Sequence, residues 1–358
     1  MIDDALSRRA ALGVALLPGS PLDSADLDRL VRWRDDARLR AGDAAEALAL
    51  ARDIAPHVGG GVSTATRWSA LATIARADLT VARAVEPHLD AQDILATATA
   101  VDLAAIGAGP SSTWGVFAAE SPDTRLEAQD RPPAARLSGT KPWCSLAGRL
   151  SHALVTAHTD RGSRALFAVA LGSAAITVRD DAWVARGLSG VPSGPVDFHD
   201  VSAVPVGADG WYLERAGFAW GGIGVAAIWW GGALGLADSL ARSATTREPD
   251  QIALSHLGAV DAALHAAGVS LAHAAAIVDA GGATRSEARI LAARTRSIVA
   301  RAVEETLSRC GHSLGPAPLA LDAEHARRVA DLTLYVRQHH AERDDAALGR
   351  ALVTEGAR

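Results

Sequence analysis

The chain has 358 residues, enough to bury two or three packed layers, and its 49% apolar and 21% charged content is ordinary for a globular protein and wrong for a disordered one. Its 35 basic and 41 acidic residues sum to a net charge of −6 and form no basic block, which argues against a nucleic-acid partner. The two cysteines, Cys144 and Cys310, have neither metal-ligand spacing nor the density of a disulfide framework; they fit a reducing cytosol, so a cytoplasmic location is expected.

Near the start, "SRRAALGVALLPGSP" sets two arginines before a short apolar run. It follows two acidic residues and lacks a small-residue cleavage site, so it is not read as an export signal. From there to about residue 110 the pattern is helical. "DSADLDRLVRWRDDARLR" opens on cap-like acidic residues and places Leu27, Leu30 and Val31 at helical spacing. "PHVGGGVST" lacks the Lys-Ser/Thr ending of a phosphate loop and is read as a connector. "TRWSALATIARADLTVARAVEPHLDAQDILATATA" keeps three-and-four apolar spacing, and the helices of this block are expected to be interrupted at Pro56 and Pro87.

The texture changes at Gly107-Ala108-Gly109-Pro110. Between about 114 and 206 short runs alternate with period two: "HALVTAHT", "ALFAVAL", "AITVRD" and "GPVDFHDVSAVPV" read as strands. After residue 215 long helices return, expected over 217–246, 251–280, 284–310 and 322–340, with Gly281-Gly282 and "GHSLGPAPLALD" as connections. Residues 217 to 237 carry no charge, and no second span compares with them. They are long enough to cross a membrane, but the seven glycines among them favour the buried helix of a bundle.

The chain resembles the acyl-CoA dehydrogenase family along nearly its whole length. "LSGTKPWCSLAGRLSHALVTA" is similar to that family's β-domain segment, a Gly turn, Lys, an aromatic and a hydroxyl residue before a strand. "FHDVSAVPVG" resembles the strand that closes the domain. "GGALGLADSLARSA" resembles the first long C-terminal helix, and "EPHLDAQDIL" the helix ahead of the β domain. The resemblance implies an α+β fold with an N-terminal helical domain (1–110), a middle β-barrel domain (111–210) that cradles a flavin, and a C-terminal four-helix bundle (211–358) that mediates oligomerisation. It also implies FAD, with FMN or reduced flavin as alternatives. On it, Trp143 stacks beside the isoalloxazine, Cys144 lies next to it and Ser145 hydrogen-bonds near N5. Ala119 and Glu120, in "WGVFAAES", approach the ring edge, and Arg247 stands in for an arginine that reaches a neighbouring subunit's FAD. Taken by itself, Trp143 reads equally well as core filler at a barrel corner.

The family's catalytic Glu has no counterpart at either expected place: "CGHSLGPAPLALD" and "GGIGVAAIWW" contain none. Its Gly-Ser-Asp loop is replaced by "ESPDTRLEA", and one position where Gln usually holds the dinucleotide is Leu257. Members that work as flavin monooxygenases rely on histidines and hydroxyls instead. His88 is the catalytic candidate on that pattern, with one of His339 and His340, whose adjacency keeps both from entering a single pocket. Trp114, Trp220 and Trp229 are candidate pocket walls. "GGIGVA" fits a dinucleotide fingerprint only loosely, with no strand before it. No metal-ligand set or nucleophile motif stands out.

The function expected first is FAD-dependent acyl-CoA dehydrogenase-type oxidation of a CH–CH bond. The alternatives are a flavin-dependent monooxygenase or oxidase, and a non-catalytic subunit that completes a partner's FAD site. A small-molecule substrate, an acyl-CoA thioester among the options, is expected. So is a homodimer, homotetramer or heteromer with the uncharged 217–237 helix inside it, and neither nucleic acid nor membrane is expected as a partner.

Overall fold

A computed structural model describes residues 12–20, 22–99, 101–131, 134–246 and 248–356. Among the described residues four helices come first: α1 (Ser24–Leu39), α2 (Ala44–Val58), α3 (Thr64–Ala77) and α4 (Leu79–Thr97). Asp23, Asp43, Ser63 and Asp78 cap them, each side chain accepting a backbone N–H of the first turn. The prolines do not interrupt as expected. Pro56 and Pro87 lie inside α2 and α4, and the break between α3 and α4 falls instead at Asp78, whose extended backbone ends one helix while its carboxylate starts the next. Packing of α4 on α2, α3 and the strand that follows outweighs the one hydrogen bond Pro87 removes.

Seven strands follow: β1 (Trp114–Phe117), β2 (Leu126–Arg131), β3 (Ala134–Lys141), β4 (His152–Thr159), β5 (Arg164–Ala170), β6 (Ile176–Val178) and β7 (Val196–Val206). β4 runs parallel to β1 and β2, and β2–β3, β3–β7, β7–β5 and β5–β4 pair antiparallel, so the ladder returns to its start and closes a barrel. β6 extends β7 at its first residues. Gly139 permits the tight approach of β3 to the β1–β2 connection: it sits at φ +117°, and a Cβ there would lie 2.2 Å from the Arg125 carbonyl.

The remainder is helical: α5 (Trp211–Glu214), α6 (Ala216–Thr246), α7 (Gln251–Ala280), α8 (Arg285–Leu314), α9 (Ala317–Leu321), α10 (Ala323–Tyr335) and α11 (Glu342–Gly356). α8 runs four residues beyond its expected end. The last expected helix is shorter than read, α10 giving way to a 3-10 turn at Val336–Gln338, and α9 and α11 are additional.

α6 packs between α3 and α8, and 72% of its apolar window is buried within this one chain. Ala226, Ala227, Ile228 and Trp229 are fully covered there, which is where the uncharged segment places its surface. α7 equals α6 in hydropathy at 1.3, so the uncharged segment is not alone in meeting the length and composition of a membrane span.

Candidate functional site

The segment Pro142–Leu150 leaves β3 at the barrel rim and is pinned from below. The Cys144 N–H donates to the Gly194 carbonyl (3.1 Å) and the Leu146 N–H to the Pro192 carbonyl (2.7 Å). Gly194 must be glycine for this, since a Cβ would meet the Arg179 carbonyl at 2.1 Å. Cys144 is fully buried, its thiol pushed well above the ordinary range by burial and donating to the Lys141 carbonyl at 3.3 Å. It is a packing group held as thiol.

Trp143 is turned the opposite way. Its backbone takes φ +58°, uncommon for an aromatic residue, and its side chain is 58% exposed with Trp183 edge-on at 6.3 Å. It is not core filler: the loop spends strain to hold an indole face outward.

Ser145 is committed rather than free. Arg83 Nη2 donates to its Oγ at 2.9 Å, and its Oγ lies 2.8 Å from Ser193 Oγ, which itself donates to the Val191 carbonyl at 3.0 Å. A hydroxyl has one proton to give; Ser193 gives its own to Val191, so Ser145 donates to Ser193. The chain of donors runs Arg83, Ser145, Ser193, Val191. For Ser145 to donate to a ligand, its hydroxyl must turn away from Ser193.

Beside this loop, Ala119 is exposed just past β1, while Glu120 is drawn into an ion network. Lys141, 1% exposed, donates from Nζ to Glu120 Oε1 at 2.6 Å and to Thr156 Oγ1 at 2.8 Å; Arg164 and His158 reach Glu120 at 3.2 and 3.3 Å. Burial alone would raise the Glu120 carboxyl, but the hydrogen bonds from Lys141, Arg164 and His158 hold it below its usual value. Burial pulls Lys141 down against the same carboxylate. Glu120, Asp123, Arg125, His158 and Arg164 line a surface groove of about 580 Å³, and a second of about 490 Å³ continues from His158 and Arg164 to Arg285 and Arg289.

The histidines divide by surroundings. His88 is 2% exposed and its Nδ1 accepts the Trp114 N–H at 3.2 Å, fastening α4 to β1. Burial, with Arg52 adding, lowers it to about 4. Neutral in the native state, it gains its proton only on unfolding as the pH falls below about 6.5, so the stability it supports is present above that value and lost toward pH 4. Urea melts of His88→Gln should show an acid limb flatter than wild type by about 2–3 kcal/mol over that window; an unchanged limb places the acid sensitivity elsewhere.

His339 is also buried, and burial lowers it. Its Nδ1 accepts the Ala341 N–H, and Ser297, which donates to Asp345, accepts from Nε2, so it carries its proton on Nε2. His340 is on the surface beside Asp344.

Trp114 packs in a small core between α4 and the barrel, Trp229 is fully covered on α6, Trp220 is half-buried, and Leu257 packs on the main core. Arg247 lies outside the described residues. Among the described residues no three His, Cys, Asp or Glu are grouped to hold a metal.

A polar stripe on α4 escaped the sequence reading. Arg83, Glu86, Asp90 and Asp93 share a face, roughly opposite His88 at about 100° per residue. Arg83, which holds Ser145, also faces Glu86 at 3.5 Å and lies 5.8 Å above the Tyr335 ring. Burial raises Glu86 to about 7; Arg83 and Arg67 oppose it and Asp90 reinforces it. Burial also raises Asp90, and Asp93 in spite of its ion pair with Arg67. The available signal was the three-four-three spacing of these charges along a helix otherwise buried.

No family model and no curated protein matches the chain. Solved structures do, end to end. Dibenzothiophene monooxygenase (TdsC) from Paenibacillus sp. A11-2 is 19% identical, with 92% of this chain and 97% of that one aligned at a TM-score of 0.77. KijD3, solved in complex with FMN and a dTDP-linked amino-keto sugar, is 20% identical over 94% and 95% of the two chains at 0.78. Butyryl-CoA dehydrogenase from Megasphaera elsdenii is 16% identical over 93% and 99% at 0.77. The chain has the acyl-CoA dehydrogenase fold.

Proposed function

We propose that this acyl-CoA dehydrogenase-fold protein is a flavin-dependent oxidoreductase acting on a small molecule, with the flavin ring seated against Trp143 between the Pro142–Leu150 loop and the segment at Ala119. The observation that carries it is Trp143 itself, held outward at positive φ beside a pinned hydroxyl pair, an arrangement that packing does not require. The donors present fit such a ring: an exposed indole face, the Ser145 and Ser193 hydroxyls and the flanking groove with Arg125 and Arg164. KijD3 and the monooxygenase TdsC are both solved with FMN, and a third structure of like fold is named an acyl-CoA dehydrogenase, which supports a flavin here.

When bound, the flavin supplies a two-electron acceptor or, once reduced, a partner for dioxygen. The chain's own residues do the rest. Trp143 covers one ring face and excludes water. Ser145, released from Ser193, directs its proton at the ring edge. Arg83 sets the Ser145 lone pairs and ties that hydroxyl to Glu86.

Whether the substrate is dehydrogenated or oxygenated turns on where its proton goes. "CGHSLGPAPLALD" forms the end of α8, α9 and the cap of α10, and its one carboxylate, Asp322, is taken up capping α10. That favours the oxygen-using alternative over ordinary thioester dehydrogenation. The flavin-loaded protein, supplied with a flavin reductase and NADH, should consume oxygen and should not bleach anaerobically with butyryl-CoA. Anaerobic bleaching would restore the dehydrogenase reading. If no flavin is taken up and the protein co-purifies with a second chain, the non-catalytic subunit is the reading that stands.

A further inference from the structure

The connection from β6 to β7, residues 183–194, holds the Trp143 loop from two sides, and both holds begin at one residue. The Leu188 carbonyl accepts the Trp183 indole N–H at 3.1 Å and the Val191 N–H at 2.9 Å. Trp183 stands edge-on to Trp143, and the Val191 carbonyl ends the donor chain that runs through Ser145 and Ser193. The same connection supplies the Pro192 and Gly194 carbonyls that pin Leu146 and Cys144. Where Leu188 sits therefore decides how the outward indole and the hydroxyl beside it are presented.

Leu188 is itself buried and takes φ +50°, a conformation a leucine seldom adopts. What holds it there is a helix of the C-terminal bundle. Asp331, on α10 and 1% exposed, accepts the Leu188 N–H on Oδ1 at 2.5 Å, and its Oδ2 accepts the Thr80 hydroxyl of α4 at 3.3 Å. The backbones meet closely at this point: a Cβ on Gly187 would lie 2.1 Å from the Ala330 carbonyl. An N–H has one proton to give, so without the Asp331 carboxylate this buried donor is left unpaired.

We propose that Asp331 is a positioning residue for the flavin site: by fixing Leu188 on α10 it sets the edge of Trp183 against Trp143 and the end of the Ser145 donor chain. The proposal rests on the flavin reading for the ring that Trp143 covers. It ties the barrel rim to the bundle, because a shift of α10 against α4 moves Asp331 and with it both branches from Leu188. By linkage the coupling is reciprocal, so a ring seated on Trp143 strengthens the hold of Asp331 on the connection.

Trypsin cleavage after Arg186 and the spectrum of bound FMN or FAD test this together. Arg186 is exposed, but the next two residues are buried against α10, so cleavage requires the anchor to open. In the flavin-free protein Asp331→Ala should speed that cleavage about tenfold, the factor that one lost buried hydrogen bond carries. Its flavin affinity should fall by about the same factor. The visible circular dichroism of the saturated flavin should also change, since that signal reads how the indole lies against the ring. Asp331→Asn keeps an acceptor for the Leu188 N–H, and burial already pushes the Asp331 carboxyl up to about 6, so a neutral group is borne there and all three readouts should stay near wild type. Trp183→Phe, which removes the indole N–H and keeps an aromatic edge, should alter the flavin dichroism with Asp331 in place, and its result decides if Asp331→Ala does not fold. Wild-type cleavage in Asp331→Ala overturns the proposal, and so does faster cleavage with flavin affinity and dichroism unchanged, which would make Asp331 structural only. If the wild type takes up no flavin, the flavin reading falls. Cleavage after Arg186 then decides the anchor, faster in Asp331→Ala if it stands and unchanged if it does not.

Discussion

Glu120→Gln should lower the unfolding free energy by about 3 kcal/mol, while Lys141→Met should cost less than about 1 kcal/mol. The asymmetry follows from burial. The Lys141 ammonium is 1% exposed, with Glu120 as its charge partner and the Thr156 hydroxyl as its other acceptor. Taking the charge from Glu120 leaves a cation in the barrel wall with neutral oxygens around it, and either the ammonium or its deprotonation must be borne by the fold. Removing Lys141 strands nothing comparable. Glu120 keeps Arg164 and His158 and part of its own hydration, with 31% of its side chain exposed. Methionine fills the volume of the lysine stem without a polar atom to satisfy. Urea or guanidinium melts of the two variants at one pH read the difference directly. Equal losses would mean that the pair contributes through packing and that its charge is incidental.

The second large effect is on flavin affinity. Trp143→Ala should raise the flavin dissociation constant about 10- to 100-fold, the value of stacking one flat ring on an indole being about 1–3 kcal/mol. Stability should move little, because the 58%-exposed side chain contributes slight burial to the fold and touches Trp183 only edge-on. The backbone at φ +58° is a strain that alanine bears no better than tryptophan, so the loop has no reason to relax. Loss of affinity without loss of stability is therefore the signature of a ring-covering residue. A fall in both together would make Trp143 a structural residue of the loop.

Much of the architecture was legible because periodicity is local. "HALVTAHT" spans β4 from first residue to last, and Gln251–Ala280 has the bounds its flanking residues announced. Pro87 misled for a physical reason: a proline's penalty is fixed at a few kcal/mol, but the packing that overrides it is contributed by elements far along the chain. The aspartate that does end α3 reads as a cap only when its side chain is seen accepting from Val81.

The site was legible only in outline. The outward indole, the hydroxyl beside it and the buried thiol are three consecutive residues whose opposed orientations come from an αL backbone that no residue type predicts. Glu120 and Lys141 are far apart in sequence and meet because β1 and β3 share a barrel, so the carboxylate expected at a ring edge lines the groove while paired to a buried lysine. His88, the first choice for chemistry, turned to the β1 face of α4. Glu86, two residues away, turned to the other, and the spacing of Arg83, Glu86, Asp90 and Asp93 was the readable sign of it.

The central claim is that the barrel rim at Trp143 holds a flavin, and equilibrium titration of the purified protein with FMN and FAD, oxidised and reduced, tests it most directly. The account predicts saturable quenching of tryptophan fluorescence together with a shifted flavin absorbance for at least one of the four forms, and weakened binding of that form in Trp143→Ala. A wild-type protein that leaves the spectra of all four unchanged at millimolar flavin would contradict it.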